Sequence, residues 1–171
     1  GFWLIEGIAG YFESLHLGSE LATVGGWDAS RLQFARYRLL VGGDSMSMDE
    51  LRQDGRETAQ ARSDIARWYA HAILRTHQLF DGGSTPDRRW VYDQLAEQYR
   101  IKSGIPKQDG GLDSDELDRS VRIFLTINDQ HLAENRVAYP LQQLCLAGCE
   151  VSEAGLQTIP VSSSLQWLDL S

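Results

Sequence analysis

The sequence predicts a mainly α-helical fold that passes, near its end, into the start of an α/β repeat. Apolar residues recur at helical spacing in successive segments up to about residue 126, and leucines then recur at a constant offset through residue 171. With 42% hydrophobic and 23% charged residues, the 171-residue chain has the composition of a folded protein. We therefore expect a helical unit over residues 1–126 and repeats over residues 127–171.

Two helices are expected at the beginning of the helical unit. The first is indicated by apolar residues spaced three or four positions apart, namely Trp3, Leu4, Ile8, Tyr11, Phe12 and Leu15. Glycines at positions 18, 25 and 26 end this segment, and Asp28 is placed to cap a second helix. The apolar positions of the second helix are Leu32, Ala35, Tyr37 and Leu40.

A short third helix and a long fourth one follow. Ser47 is followed three positions later by Glu50, which is the spacing of a capping box. The fourth helix is expected from about Thr58 to Phe80, because apolar and aromatic residues fall on one face: Ile65, Tyr69, Ile73, His77 and Phe80.

Two further helices complete the helical unit. Thr85 before Pro86 indicates the start of a fifth helix that reaches about Tyr99, with Trp90, Tyr92 and Leu95 as its core residues. The loop over residues 101–111 leads to a sixth helix, from Ser114 to about Leu125. The acids at its start, Asp113, Asp115, Glu116 and Asp118, suit the helix dipole, and an acidic cation site is the alternative.

The end of the chain carries a leucine pattern with an offset of 24 residues. Leu141, Leu144 and Leu146 recur as Leu165, Leu168 and Leu170, and 24 lies within the range of leucine-rich repeats. Shifting Val151 and Leu156 back by the same offset gives Ile127 and Leu132, so a degenerate repeat is expected to begin near residue 123. In this arrangement Cys145 should face a concave surface and Cys149 should point into the repeat interior.

The segment FWLIEGIAGYFE resembles the third-ligand helix of the gluzincin zinc peptidases. Aminopeptidases of that group carry W-L-x-E-G-x-A, matched here by Trp3, Leu4, Glu6, Gly7 and Ala9. The resemblance is strongest to bacterial peptidase-MA-like proteins, in which a later helix is similar to YAHAILRTHQL at residues 69–79. It therefore extends over most of residues 1–126 and implies the C-terminal part of a gluzincin domain.

The resemblance implies a zinc cofactor with Glu6 as the third ligand. In the His₂Glu arrangement two histidines of an HExxH helix supply the other ligands, and the glutamate of that motif activates the bound water. HExxH does not occur in these 171 residues, so we expect a catalytically incomplete piece of a longer metallopeptidase-like protein. Small side chains at Gly7, Ala9 and Gly10 predict that another helix packs closely on this one.

His77 is the second candidate site residue. It shares a predicted helix face with Tyr69 and Ile73, and gluzincins use a tyrosine or a histidine to stabilise the tetrahedral oxyanion. The alternative is a histidine at the edge of the core, satisfied by hydrogen bonds. His71 and His77 lie nearly on opposite sides of a helix, so they cannot chelate one metal together.

Composition narrows the range of partners. The formal charge of −8 and scattered basic residues argue against nucleic acid, and no apolar run is long enough for a membrane span. A peptide or protein substrate, or a protein partner held by the repeats, fits better, and a non-catalytic scaffold is the alternative function. The compartment stays open: the opening residues lack a signal-peptide n-region, so any export signal would lie upstream.

Overall fold

The computed structural model describes residues 1–102, 111–134, 142–159 and 164–171, and this part of the chain is mainly helical. Its helices are α1 (Phe2–Phe12), α2 (Ser30–Leu40), α3 (Met48–Gln53), α4 (Arg56–Gln60), α5 (Ile65–His77), α6 (Thr85–Gln98), α7 (Ser114–Leu125), α8 (Asp129–Glu134) and α9 (Glu153–Leu156). A π-helical turn, Gln78–Gly82, continues α5. The strands are β1 (His16–Leu17), β2 (Ala22–Thr23), β3 (Gln143–Cys145) and β4 (Trp167–Asp169).

The prediction of one long helix from Thr58 to Phe80 is wrong. Two helices, α4 and α5, occupy this stretch, and residues 61–64 separate them. The break is stabilised by Asp64, whose carboxylate accepts a hydrogen bond from the backbone N–H of Arg67 at 2.9 Å and so caps α5. The same carboxylate pairs with Arg38 at 2.7 Å. A local cap therefore overrides the continuous amphipathic pattern.

Other helix ends agree with the sequence to different degrees. The Ser47 hydroxyl accepts from the Glu50 N–H at 3.1 Å, which confirms the predicted cap of α3. At α6 the cap is Ser84 and not Thr85, because Ser84 and Asp87 exchange hydrogen bonds as a complete capping box. Asp28 does not cap α2, which begins after Ala29 without a side-chain cap. Most of the predicted loop, residues 103–110, lies outside the described residues.

Helix α5 is the centre of the helical packing, and α1 lies directly against it. A side-chain carbon added at Gly7 would overlap the Thr76 hydroxyl and the Ala72 carbonyl, and one added at Gly10 would overlap the Ile73 side chain. The predicted close approach of another helix is thus confirmed, with α5 as the partner. Ala9 does not share this contact and is exposed.

Helix α2 buries polar side chains on the face that joins it to the rest of the chain. The guanidinium of Arg36, fully buried, donates to the carbonyls of Leu125 at 3.0 Å, Cys145 at 3.1 Å and Trp27 at 2.6 Å. Tyr37, predicted on the apolar face, is 44% exposed instead. The burial of α2 is therefore decided by hydrogen bonds to three separate segments as well as by apolar contacts.

Gln33, also buried on α2, binds one edge of β3. Its side-chain oxygen accepts from the Cys145 N–H at 2.6 Å, and its side-chain nitrogen donates to the Gln143 carbonyl at 3.3 Å. A parallel strand beside β3 would form the same two hydrogen bonds, one with the Cys145 N–H and one with the Gln143 carbonyl. The amide thus closes the edge of β3 that faces the helical unit.

The predicted offset of 24 residues is confirmed for the strands. β3 and β4 pair in parallel, with Leu144 opposite Leu168, and α8 contacts α9. Leu141 lies outside the described residues. An apolar cluster fills the space between strands and helices: Ile127, Leu132, Leu144 and Leu146, with Cys149, Val151, Leu156, Ile159 and Leu165 packed against them. The leucine-rich repeat assignment, and with it the division at residue 126, stays a prediction.

The cysteines follow the predicted pattern in part. Cys149 packs against the apolar cluster formed by Ile127, Leu132, Leu144 and Leu146, as expected for an inward-pointing side chain. Cys145 is 2% exposed and does not lie on an open concave surface, because α2 covers this end of the sheet and its buried Arg36 and Gln33 bond the backbone of Cys145.

Among the helices of the described residues, none is long and apolar enough to cross a membrane.

We expect Gly7→Ala to lower the free energy of unfolding by about 1–3 kcal/mol, because the added carbon meets backbone and a buried hydroxyl of α5. Urea unfolding followed by circular dichroism measures this. Gly111→Ala is the matched control: no atom of the described residues lies within 4 Å of its added carbon, and a change within about 0.5 kcal/mol is expected. Equal effects of the two substitutions would contradict the close approach of α1 and α5.

Arg36→Met should lower the free energy of unfolding by about 3 kcal/mol or more, because buried carbonyls lose their donor. Arg31→Met on the same helix is the control. Arg31 pairs with Glu13 on the surface, with side chains 57% and 53% exposed, so about 1 kcal/mol at most is expected. A loss at Arg36 no larger than that at Arg31 would refute the role of the guanidinium in joining the segments.

Candidate functional site

Glu6 opens onto a groove of about 430 Å³ between α1, α2 and α5. Gly7 is turned towards α5 and does not line the groove, whereas Glu6, Ala9 and Gly10 of α1 do. Its apolar walls come from Ala9, Phe34, Ile65, Ala66, Ala70 and Ile73. The close packing of α1 on α5 thus places a carboxylate beside a mainly apolar surface.

The Glu6 side chain is half-buried, and the hydroxyl of Tyr69 on α5 lies near its carboxylate. Burial raises the pKa of Tyr69, and the negative charge of Glu6 raises it further, so the hydroxyl remains a proton donor at neutral pH. Within the described ranges Glu6 forms no ion pair. Its carboxylate therefore keeps free acceptor positions that face the groove.

The rim of the groove is charged. Glu13, which directly follows the last residue of α1, pairs with Arg31 of α2 at 2.6 Å, and both side chains are more than half exposed. Phe34 on the next turn of α2 is 47% exposed. The charges of Glu13 and Arg31 therefore compensate each other at the rim, whereas the group beside Glu6, the Tyr69 hydroxyl, is neutral.

The structure does not bring His77 to Glu6. His77 is fully buried, its Nδ1 lies 2.8 Å from Asp81 Oδ2, and the ring of Tyr11 packs 4.7 Å from its ring. It is absent from the groove lining and lies eight residues, about 12 Å of helix rise, beyond Tyr69. These contacts are typical of a histidine in the protein core. Its Nε2 has no hydrogen-bond partner among the described residues.

Asp81 is a polar centre that the sequence analysis missed. Its Oδ1 accepts from the Tyr11 hydroxyl at 2.8 Å and its Oδ2 from the backbone N–H of Gly26 at 3.0 Å, in addition to the contact with His77. The π-helical turn places it at this point. The available signal was the spacing of four between His77 and Asp81, which puts both on one helix face.

His71 is buried elsewhere on α5, with Nε2 at 3.8 Å from Asp44 Oδ1. Burial lowers the pKa of His71 to about 4, and the charge of Asp44 only partly opposes this. Asp44 is bound by Arg38 and Arg67 at 2.7 and 2.6 Å. His71 is therefore neutral at physiological pH and belongs to the core.

The described residues contain no group of three histidine, cysteine or acidic side chains arranged to hold a metal. Two of the acids at the start of α7 have structural partners: Asp113 caps the helix at the Glu116 N–H, and Asp118 binds Arg75 and the Met48 N–H, which lie far away in sequence. Glu6 fits a zinc site as a single ligand, since Tyr69 can orient its carboxylate. Two further ligands would have to come from another segment.

Comparison of the chain with known protein families, with curated proteins and with solved structures finds no match.

The free energy of unfolding should fall as the pH is lowered from 7 to 4. The unfolded chain protonates His71 near its ordinary pKa of 6.5, whereas the folded state resists protonation down to about 4. This difference corresponds to about 3 kcal/mol over the interval. Asp44 and Asp64, whose pKa values are lowered from 3.8, contribute stability that is lost only at still lower pH.

Urea unfolding at several pH values checks this, with His71→Gln and, as control, the exposed His16→Gln. We expect the slope between pH 7 and 4 to flatten in the His71 variant alone. An unchanged slope in that variant would show that another group titrates.

Proposed function

We propose that Glu6 is the third zinc ligand of a gluzincin-type peptidase centre, whose HExxH helix is supplied by a segment outside these 171 residues. The observation that carries the proposal is a half-buried carboxylate beside the neutral hydroxyl of Tyr69, facing an apolar-walled groove. A carboxylate in such a place is costly unless a cation or further donors complete its surroundings. The substrate would be a peptide or a protein.

The groove supports the arrangement in two ways. Its volume of about 430 Å³ and its apolar walls suit the side chains of one amphipathic helix laid across α1 and α5. The Tyr69 hydroxyl lies near the Glu6 carboxylate, where it could orient a metal-bound carboxylate as an outer hydrogen-bond partner does in metal sites. When bound, zinc would polarise the substrate carbonyl and lower the pKa of a bound water.

His77 is not part of this proposal. Its ring is buried against Tyr11 and bound to Asp81, so His77 cannot contact an oxyanion formed beside the Glu6 groove. The group near Glu6 that could donate a hydrogen bond to such an oxyanion is the Tyr69 hydroxyl.

The test is zinc stoichiometry in the polypeptide extended upstream of Gly1 in its natural reading frame. We expect one zinc per chain, lost in Glu6→Ala because one of three ligands is removed, with unchanged helical circular dichroism. Glu13→Ala is the matched control, since Glu13 lies on the same side of α1 but pairs with Arg31. Equal zinc in Glu6→Ala and Glu13→Ala, or an upstream sequence without HExxH, would contradict the proposal.

A non-catalytic scaffold is the second candidate function, and the arrangement of the strands favours it. Gln33 closes one edge of β3, and β4 pairs on the other edge at the offset of 24 residues. Further strands could therefore add only beyond β4, and growth in one direction produces the extended binding face of a repeat array. An intact upstream sequence without HExxH, together with further repeats downstream, would favour the scaffold.

A further inference from the structure

A second cleft, of about 1030 Å³, lies between the π-helical turn, the start of α6 and the exposed side of α7. It shares no lining residue with the Glu6 groove, so nothing about it depends on the proposed zinc site. Its volume is at the upper end of the range for ligand pockets in proteins. The cleft can therefore hold a side chain together with the backbone that carries it.

Aromatic rings form one wall of this cleft. The ring of Phe80 lies 4.9 Å from the ring of Tyr11 and 6.0 Å from the ring of Tyr92, so the three form a continuous row. Tyr11 is buried at the inner end and Tyr92 is 57% exposed at the outer end. The prediction that Tyr92 belongs to the core is wrong, because its side chain lies on the open side of α6.

The row of rings leads to the carboxylate of Asp81. A carboxylate offers about four acceptor positions, and the Tyr11 hydroxyl, the Gly26 N–H and His77 take three of them. The Asp81 side chain remains 24% exposed and lines the cleft. A hydrogen-bond donor of a ligand that lies along the rings would therefore contact the Asp81 carboxylate, whose position is fixed by these hydrogen bonds.

The charge of the lining points to a cation. Its carboxylates are Asp81, Asp87, Asp113 and Glu116, against the guanidinium of Arg88 and the imidazole of His131. Arg88 is held by a bond from its Nε to the Phe80 carbonyl at 2.8 Å, and Glu116 is paired with Arg119 on the surface at 3.0 Å. Excess negative charge beside aromatic faces attracts cationic side chains and repels acidic ones.

We propose that this cleft binds an arginine side chain of a peptide or protein partner. The side chain would lie along Tyr92 and Phe80, with its guanidinium stacked on the rings and donating to Asp81. Arginine fits better than lysine, because a planar guanidinium stacks on aromatic faces and pairs with a carboxylate at the same time. Lysine offers a more strongly hydrated point charge that does neither as well.

The experiment is an NMR titration of the 171-residue chain with acetyl-Gly-Arg-Gly-amide. The matched ligand replaces arginine by citrulline, which has nearly the same shape and no charge. We expect saturable shifts of Tyr92 and of the backbone around Asp81, binding at least tenfold weaker with citrulline, and weaker binding of the corresponding lysine peptide. Binding should also weaken as salt is added, because the cleft is partly open.

Tyr92→Ser should weaken binding of the arginine peptide at least fivefold. Tyr99→Ser is its control: Tyr99 lies on the same part of the chain, is 60% exposed and does not line the cleft, so binding should be unchanged. Because both tyrosines are exposed, neither change should unfold the protein. Absence of binding, equal binding of the citrulline or lysine peptide, or equal effects of the two substitutions would overturn the proposal.

Discussion

The buried guanidinium of Arg36 is the interaction on which the rest of the structure depends. It joins the end of α7, the strand β3 and the loop before α2 through the carbonyls of Leu125, Cys145 and Trp27. Burial lowers the pKa of Arg36, and within the described ranges its guanidinium forms no ion pair with a carboxylate, so these carbonyl oxygens hold its charge. Leu125 is the last residue of α7, where the helix dipole is negative, which makes its carbonyl a favourable partner for a cation. One side chain thus joins α2 to α7, to β3 and to the loop before α2.

The second constraint is the contact between α1 and α5. Gly7 and Gly10 allow the two backbones to approach, and the same rotation of α1 directs Glu6 towards the groove. The packing face and the candidate ligand are therefore not independent, since they are adjacent positions of one helix. A side chain at Gly7 would move α1 and so displace Glu6 relative to Tyr69.

The two candidate sites differ in the partners of their carboxylates. In the Glu6 groove one carboxylate has a neutral hydroxyl as its partner, a situation that suits a metal ion brought by other ligands. In the larger cleft Asp81 is already bound by a hydroxyl, a backbone N–H and an imidazole, and the aromatic row in front of it favours an organic cation. A peptidase and a peptide-binding scaffold both have use for such a cleft, so it does not decide between the proposed functions.

The sequence by itself determined the features that depend on local chemistry and on spacing. The bounds of α7, the cap at Ser47, the demand of Gly7 and Gly10 for a close neighbour and the offset that sets Leu144 opposite Leu168 are all confirmed. These follow from caps, periodicity and side-chain size, which a linear pattern records.

Only the tertiary structure decided where polar side chains would be buried. Arg36 and Gln33 look like surface residues in a linear pattern, but each meets backbone groups more than 100 residues away in sequence. The Asp81 carboxylate likewise accepts hydrogen bonds from Tyr11 and Gly26, which are distant in sequence. Tyr92 is exposed because it lies on the outward face of α6. A buried polar group is stable only when distant donors and acceptors converge on it, and that convergence is a property of the folded chain.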